Sequence, residues 1–416
     1  MERPSPRKMP IVGHGECLLG REEMDLATQV IANKQLFRYY SAASDTPPPM
    51  VAQLEKELRQ KMGVPFALGV TSGTAALEVA LGALGIGPGD EVILPAWSWI
   101  SCFTVIARAG ALPVLAEMDA SLNLDPEEID RLATPRTKAV LCIHFQGVAA
   151  NLDAILEKTR KANIALLEDC ASAVGAGYRD RRVGSFGDMA IYSFQNNKTI
   201  TCGEGGAVVT HDPRLYERAV RMHDLGQYRP FHEQIHAPSE TSFCGINTRM
   251  NELCAAVALG QLRKLDGMIA HLRSLNERLH DRIAGLPGIR FRHIHDPAGQ
   301  IGLEFYVTLP DTTVANRFRE IFSELGIACV ARTGTYMQYA REYVQQRKCH
   351  TEKISPFRGF REWPARGYRK EDFPKSNALI DGLFTIPIGA LYTEADIDHI
   401  AHAFHWAHHE VLGDSC

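Results

Sequence analysis

Between residues 50 and 210 the hydrophobic period of this chain switches repeatedly. Apolar runs of strand length alternate with helical patterns, and few folds accept that order. "MVAQLEKELRQKMG" reads as a helix, "PFALGVTSG" as a strand and turn, and "TAALEVALGAL" as a helix. "PGDEVILPAWSW" supplies a turn and a strand, "SCFTVIARAG" a helix, and "LPVLAEMD" a strand. "LDPEEIDRLA" places Asp125 as N-cap and Pro126 at the first helical position. "KAVLCIHF", "IALLED", "DMAIYSF" and "AVVT" read as further strands, with "NLDAILEKTRKAN" a helix between the first two. This alternation predicts an α/β fold: a mainly parallel sheet with helices on both faces. The strands are continuous apolar runs, as expected when both faces are covered.

A helical stretch from about 251 to 284 follows, with Leu262, Leu265, Ile269, Leu272, Leu275, Leu279 and Ile283 at helical spacing. It reads as a spine joining a large domain to a smaller α+β one built from "GLEFYVTLP", "VANRFREIFSELG", "GLFTIPIG" and the C-terminal helix. The expected division is an N-terminal segment 1–35, a large domain 36–265 and a small domain 266–416. An irregular segment, 331–375, carries 11 Lys/Arg against 5 Asp/Glu. It is either a solvated loop or an anion-attracting flap over a substrate site.

The net charge of −4 gives no bias toward nucleic acid or a membrane surface. No apolar run reaches the roughly 18 residues of a membrane span, and the N-terminus "MERPSPRKMPIVGHGE" lacks the apolar centre of a signal peptide. The ten cysteines show no CxxC pair or regular spacing. Reduced thiols in a cytoplasmic protein, with no metal site, are the expectation.

Ligands of an open α/β sheet sit outside the carboxyl ends of its strands, so the exits carry the chemistry. The first strand exits into Thr71, Ser72, Gly73 and Thr74, where a helix N-terminus can hold a phosphate. The next exits beside Trp97 and Trp99, either of which offers an indole for stacking. A later one ends on Glu168 and Asp169, carboxylates that must find partners. The last runs through Ser193 to Lys198, ahead of the glycine-rich turn "GEGG". That lysine is either a solvated loop residue or an amine held for covalent work. Together these parts suit pyridoxal 5′-phosphate (PLP). Its aldehyde needs a lysine, its pyridine nitrogen a carboxylate, its phosphate a helix N-terminus and its ring an aromatic face.

The stretches "SGTAALEVAL", "LLEDCASAVGAGYRDRRVGSFGDMAIYSF", "NKTITCGEGGAVVT" and "GINTRMNELCAAVALGQL" carry a family likeness. The chain resembles the DegT–StrS group of fold-type-I, PLP-dependent sugar and aminocyclitol aminotransferases, from about residue 50 to 285 and thinly to the last helix. The resemblance implies a large seven-stranded α/β domain and a smaller α+β one. It assigns Lys198 to the Schiff base, Asp169 to the pyridinium and Trp99 to the ring. It gives Gly73, Thr74 and Ser193 to the phosphate. Asn247 would reach the phosphate of a neighbouring subunit with Arg249 close by, implying a homodimer with shared sites. Ser172 departs from the family's usual Gln or His beside the cofactor's phenolic oxygen.

The implied activity is transfer of an amino group from glutamate or glutamine to a ketone or aldehyde of a sugar-like acceptor, in antibiotic or surface-polysaccharide biosynthesis. Alternatives are dehydration, aromatising chemistry like that of 3-amino-5-hydroxybenzoate synthase, or a non-catalytic role. Arg249, Tyr336, Tyr339, Arg358 and Arg361 stand as candidate substrate contacts.

Overall fold

The structure, a computed structural model, describes residues 2–39, 48–229, 238–331, 336–351, 353, 355–359 and 367–413, the side chains of 358 and 359 excepted. In chain order the elements begin with α1 (Arg21–Ala32), α2 (Met50–Met62), β1 (Phe66–Val70), α3 (Gly73–Leu84), β2 (Glu91–Pro95) and α4 (Ile100–Arg108). Next come β3 (Leu112–Ala116), α5 (Glu127–Leu132), β4 (Thr137–Ile143), α6 (Leu152–Ala162) and β5 (Ala165–Asp169). The hairpin β6 (Gly177–Tyr178) and β7 (Arg181–Arg182) precedes β8 (Met189–Ser193), β9 (Gly206–Thr210), α7 (Pro213–His223) and α8 (Glu252–Ile283). The C-terminal part holds β10 (Arg290–Phe291), β11 (Glu304–Thr308), α9 (Thr312–Glu324), α10 (Glu342–Gln345), α11 (Pro356–Gly359), α12 (Pro374–Ile380), β12 (Leu383–Pro387) and α13 (Glu394–Leu412).

Seven strands form the central sheet in the order β1-β9-β8-β5-β4-β2-β3. β9 runs antiparallel to β1 and β8, while the β8–β5, β5–β4, β4–β2 and β2–β3 pairs are parallel. Successive strand residues feed opposite cores, as the period of two demands. Leu141 and Ile143 pack with Leu77, Phe103 and Val220 of α3, α4 and α7, whereas Val140 and Cys142 pack with Leu54, Ile155 and Leu259 of α2, α6 and α8.

The helices start where short polar side chains can cap them. Ser72 Oγ accepts from Ala75 N at 3.0 Å, and Asn251 Oδ1 accepts from Cys254 N at 2.9 Å to open α8. Asp125 does the same for α5, accepting from Glu127 N at 3.0 Å, and Pro126 is already helical. Along α8, Leu262, Leu265, Leu272 and Leu279 are buried against both the large sheet's helices and α13. Each such side chain stabilises by about 1.5–3 kcal/mol, which makes the helix a rigid spine.

The small antiparallel sheet, β10-β11-β12, is covered by α9 and α13 through an aromatic cluster. In it the Phe322 ring centroid lies 5.0 Å from those of both Phe384 and Phe404. The described part of 331–375 is not a solvated loop. Met337 pairs in a bridge with Trp97, Gln338 N donates to Ala96 O at 2.7 Å, and Val344, Phe357 and Phe373 join the core around α4. Tyr368 Oη accepts from Leu115 N at 3.0 Å on β3, so the segment closes that edge of the large sheet.

Candidate active site

The exits of β1, β2, β5 and β8 converge at one edge of the large sheet, as parallel strands require. At the first, Ser72 spends its hydroxyl on Ala75 N and its carbonyl on Ala76 N. The amides of Gly73 and Thr74 are left without a protein acceptor among the described residues. The Thr74 side chain is exposed, and Ser193 adjoins Gly73 so closely that a Cβ at 73 would stand 2.9 Å from Ser193 Oγ. Two free amides, two hydroxyls and the positive end of α3 make a cradle for a small dianion, and any side chain at 73 would fill it.

Asp169 is 4% exposed. Its Oδ1 accepts from Ala171 N at 2.9 Å and its Oδ2 from the Cys102 thiol at 3.2 Å. Burial first, then Asp169 itself, pushes the Cys102 thiol well up, so it stays protonated and donates. Lys198 lies half-buried in the turn after β8, its N–H donating to Gln195 O at 2.9 Å. Its charge acts on the same Cys102 thiol. Amine and carboxylate therefore share one end of the cleft.

The two tryptophans part company. Trp97 is core, 1% exposed, with its ring centroid 4.5 Å from that of Phe145. Trp99 is 57% exposed at the start of α4, so its indole is open to a flat ligand, with Tyr336 at 6.2 Å between centroids. The two acids also differ. Glu168 is fully buried on the other face of β5 and accepts from His144 Nε2 at 2.9 Å and from the Gly184, Phe186 and Gly187 amides at 2.7–2.8 Å. His144 Nδ1 accepts from Ala150 N at 3.1 Å, which puts the ring proton on Nε2. Burial raises the Glu168 carboxyl, but the His144 bond and these amides outweigh it and hold it below the ordinary value. Cys170 Sγ lies within 4.8 Å of a ligand atom of each, yet both His144 nitrogens and both Glu168 oxygens are already engaged in protein hydrogen bonds.

Ser172 Oγ accepts from Gln146 N at 3.1 Å and donates to His144 O at 3.4 Å. It ties the β4 exit to the β5 exit, with Gln146 held at φ 52°. The exit of β4 went unread in the sequence although the strand-end rule applies to it. Cys102 was also missed; it lies three residues past Trp99, where one turn of α4 brings it under Asp169. The glycines after Lys198 serve the protein's own backbone. A Cβ at Gly206 would stand 2.7 Å from the Ser72 carbonyl, and Gly203 turns at φ 83°. The N-terminal segment also supports the lysine, since Gly15 N donates to Lys198 O at 3.3 Å.

Asn247 is exposed and bridges the backbone of Asp224, while Thr248 O accepts from Thr71 N at 3.0 Å beside the cradle. Arg249 ion-pairs with buried Asp224, which Arg229 also meets at 2.5 Å. Tyr339 is structural: its hydroxyl donates to Asn377 Oδ1 at 2.5 Å and its ring stacks on Phe373. The Arg358 side chain and Arg361 lie outside the described residues.

A model of the DegT/DnrJ/EryC1/StrS aminotransferase family matches residues 40–405. This chain belongs to that family. Spore coat polysaccharide biosynthesis protein SpsC of Bacillus subtilis is 31% identical over 93% of this chain and 94% of its own length. GDP-perosamine synthase of Escherichia coli O157:H7 is 38% identical over 54% of this chain and 60% of its own. The match thus spans less than two thirds of that synthase. Among solved structures, 3-amino-5-hydroxybenzoic acid synthase is 27% identical with a TM-score of 0.77, covering 98% of this chain and 99% of that one. The fold is that of the fold-type-I PLP aminotransferases, a mainly parallel large sheet with a small C-terminal sheet domain. Among the described residues no helix is long and apolar enough to cross a membrane.

Proposed function

We propose that this protein is a PLP-dependent aminotransferase that moves an amino group from glutamate or glutamine to a carbonyl carbon of a sugar-like acceptor. The observation that carries the reading is the placement of Lys198 and Asp169 about one buried thiol, beside an uncovered indole and a helix N-terminus with two unspent amides. The cradle fits a phosphate, and the buried carboxylate with lone pairs in reserve fits a protonated ring nitrogen. Lys198 would hold the cofactor's aldehyde carbon, Asp169 the ring nitrogen, Gly73, Thr74 and Ser193 the phosphate, and Trp99 one ring face. When bound, PLP supplies an electron sink at the carbon that loses its proton.

The chain's residues do the rest. The Lys198 amine, when not engaged by the cofactor, would carry a proton to and from the donor's α-carbon. Asp169 would face the ring nitrogen, its orientation fixed by the Cys102 thiol and the Ala171 amide. Ser172 holds the β4 exit in place at the cleft. The acceptor, whether a nucleotide sugar, an acidic sugar or a cyclitol, would enter past the exposed indole of Trp99. We further propose a cytoplasmic homodimer in which Asn247 completes the partner's phosphate site. The presence of Lys198, Asp169 and the open cradle together counts against a non-catalytic role.

Lys198→Ala tests the reading. The variant keeps its circular dichroism and loses amine transfer from isotopically labelled glutamate or glutamine by at least about 10³-fold. Measurable transfer of label by that variant refutes it.

A further inference from the structure

The small sheet has two faces. One packs on α13, where Phe305 and Phe384 meet Phe404 at 6.3 and 5.7 Å between ring centroids. The other face is turned to the large domain and carries Arg290, Arg292, Tyr306, Thr308 and Leu383. The register explains the set, because cross-strand partners share a face. Arg290 pairs with Thr308 and Thr308 with Leu383, and Arg292 N donates to Tyr306 O at 3.3 Å. Between this face, the loop after β3 and α12 lies a cavity of about 440 Å³. Small-molecule sites have this size and favour domain junctions. None of the residues placed in the cleft lines it.

The walls combine an apolar lining with a positive charge. Met118 and Leu122 are buried on the large-domain side, and Leu379 faces them from α12. Two acids also line the cavity, but both have partners. Asp119 Oδ1 accepts from Ser121 N at 2.8 Å, and its Oδ2 lies 3.2 Å from His295 Nε2. Asp125 accepts from Glu127 N at 3.0 Å and from Lys375 Nζ at 3.1 Å. Arg292 is a fixed cation. It donates to Ser121 O at 2.7 Å and to Phe145 O at 2.9 Å, with its guanidinium 5.1 Å from the Tyr306 ring centroid. Arg290 is exposed and meets no carboxylate at ion-pair distance among the described residues. The lining acids are thus held by other partners, and Arg290 leaves a positive charge at the wall.

We propose that this cavity is a second binding site, separate from the cleft, for a small aromatic acid carried as its monoanion. Arg290 takes the anionic group through charge-assisted N–H bonds. Arg292 adds its field from behind, held in place by the two carbonyls. Met118, Leu122 and Leu379 cover the apolar body. A flat ring suits this wall, since a guanidinium stacks on aromatic faces as well as pairing with acids. The site joins the two domains, because its cations stand on the small sheet and its apolar floor on the large domain.

The probe is 8-anilinonaphthalene-1-sulfonate, an aromatic monoanion whose fluorescence rises in an apolar site. It is titrated into the full-length protein after incubation with PLP and desalting. A saturable site is expected. Arg290→Glu, a change at an exposed position, should weaken binding at least about tenfold. Ala378→Trp, which fills the cavity from α12, should abolish the saturable signal. The uncharged analogue N-phenyl-1-naphthylamine should bind at least about tenfold more weakly than the anion. No saturable site, an affinity that either variant leaves unchanged, or a neutral probe that binds as tightly as the anion would overturn the proposal. Neither variant touches Lys198, Asp169 or the cradle, and PLP absorbance is read in the same samples. The aminotransferase reading therefore stands or falls by a different measurement.

Discussion

The carboxyl ends of the central strands and the β3 edge of the same sheet treat their polar groups in opposite ways. Along the edge both oxygens of Glu117 are spent. Glu117 accepts from Lys375 N at 3.0 Å, from Ser376 N at 2.8 Å and from Ser376 Oγ at 2.5 Å, and Met118 N donates to that same hydroxyl. At the strand ends the groups are oriented but held in reserve. Asp169 receives one amide and one thiol, and Gly73 and Thr74 keep their amides. Adjacent residues show the same contrast, because Glu168 faces four donors in the core while Asp169 faces the cleft. Saturated polar groups hold a fold, whereas fixed groups with capacity left can bind and react.

The largest expected effect is on chemistry. Asp169→Asn should leave the denaturation midpoint nearly unchanged and lower amine transfer by about a hundred- to a thousand-fold, read as turnover with glutamate or glutamine. Full activity would erase the distinction between the two acids. Glu168→Ala should act the other way round, through stability. It strips the acceptor from the His144 ring and three buried amides, which costs about 3–5 kcal/mol in urea unfolding. Ser376→Ala should cost less, about 1–3 kcal/mol, and leave PLP affinity at its wild-type value. A loss of affinity would place the edge segment inside the site.

The smallest effect is a pH-dependent gain. Glu252 Oε2 accepts from Met50 N and Val51 N, while its Oε1 meets no partner among the described residues. Burial raises its carboxyl to about 7, against the pull of the Met50 and Val51 amides. Its contribution is therefore fully present below the ordinary carboxylate value and is lost as pH rises through about 7. Glu252→Gln should match wild type in unfolding free energy at pH 5 and exceed it at pH 8, by on the order of 1 kcal/mol. A gain that shrinks as pH rises would contradict the burial account.

The alternation of periods announced the sheet and its helices because each element is short and marked by its own residues. The antiparallel course of β9 has no such mark: "AVVT" reads alike in either direction. Lys198, Asp169 and the Gly73–Thr74 turn were legible because strand exits are local. The edge segment was not, since Met337 on Trp97, Tyr368 on Leu115 and Ser376 on Glu117 are contacts across more than two hundred residues. Its basic residues gave it the look of a solvated loop or flap, while its aromatic residues decided where it packs. Cys102 and Gln146 lacked a signal for a related reason. Each acts through a neighbour, one on Asp169 and the other on Ser172, and only the fold brings those neighbours together.

The most direct test of the central claim is the absorbance spectrum of the purified protein, recorded with PLP and again after addition of L-glutamate and then L-glutamine. A yellow band that is absent from Lys198→Ala and bleaches with one of the donors is the predicted result. A protein that stays colourless after reconstitution with PLP would contradict the account.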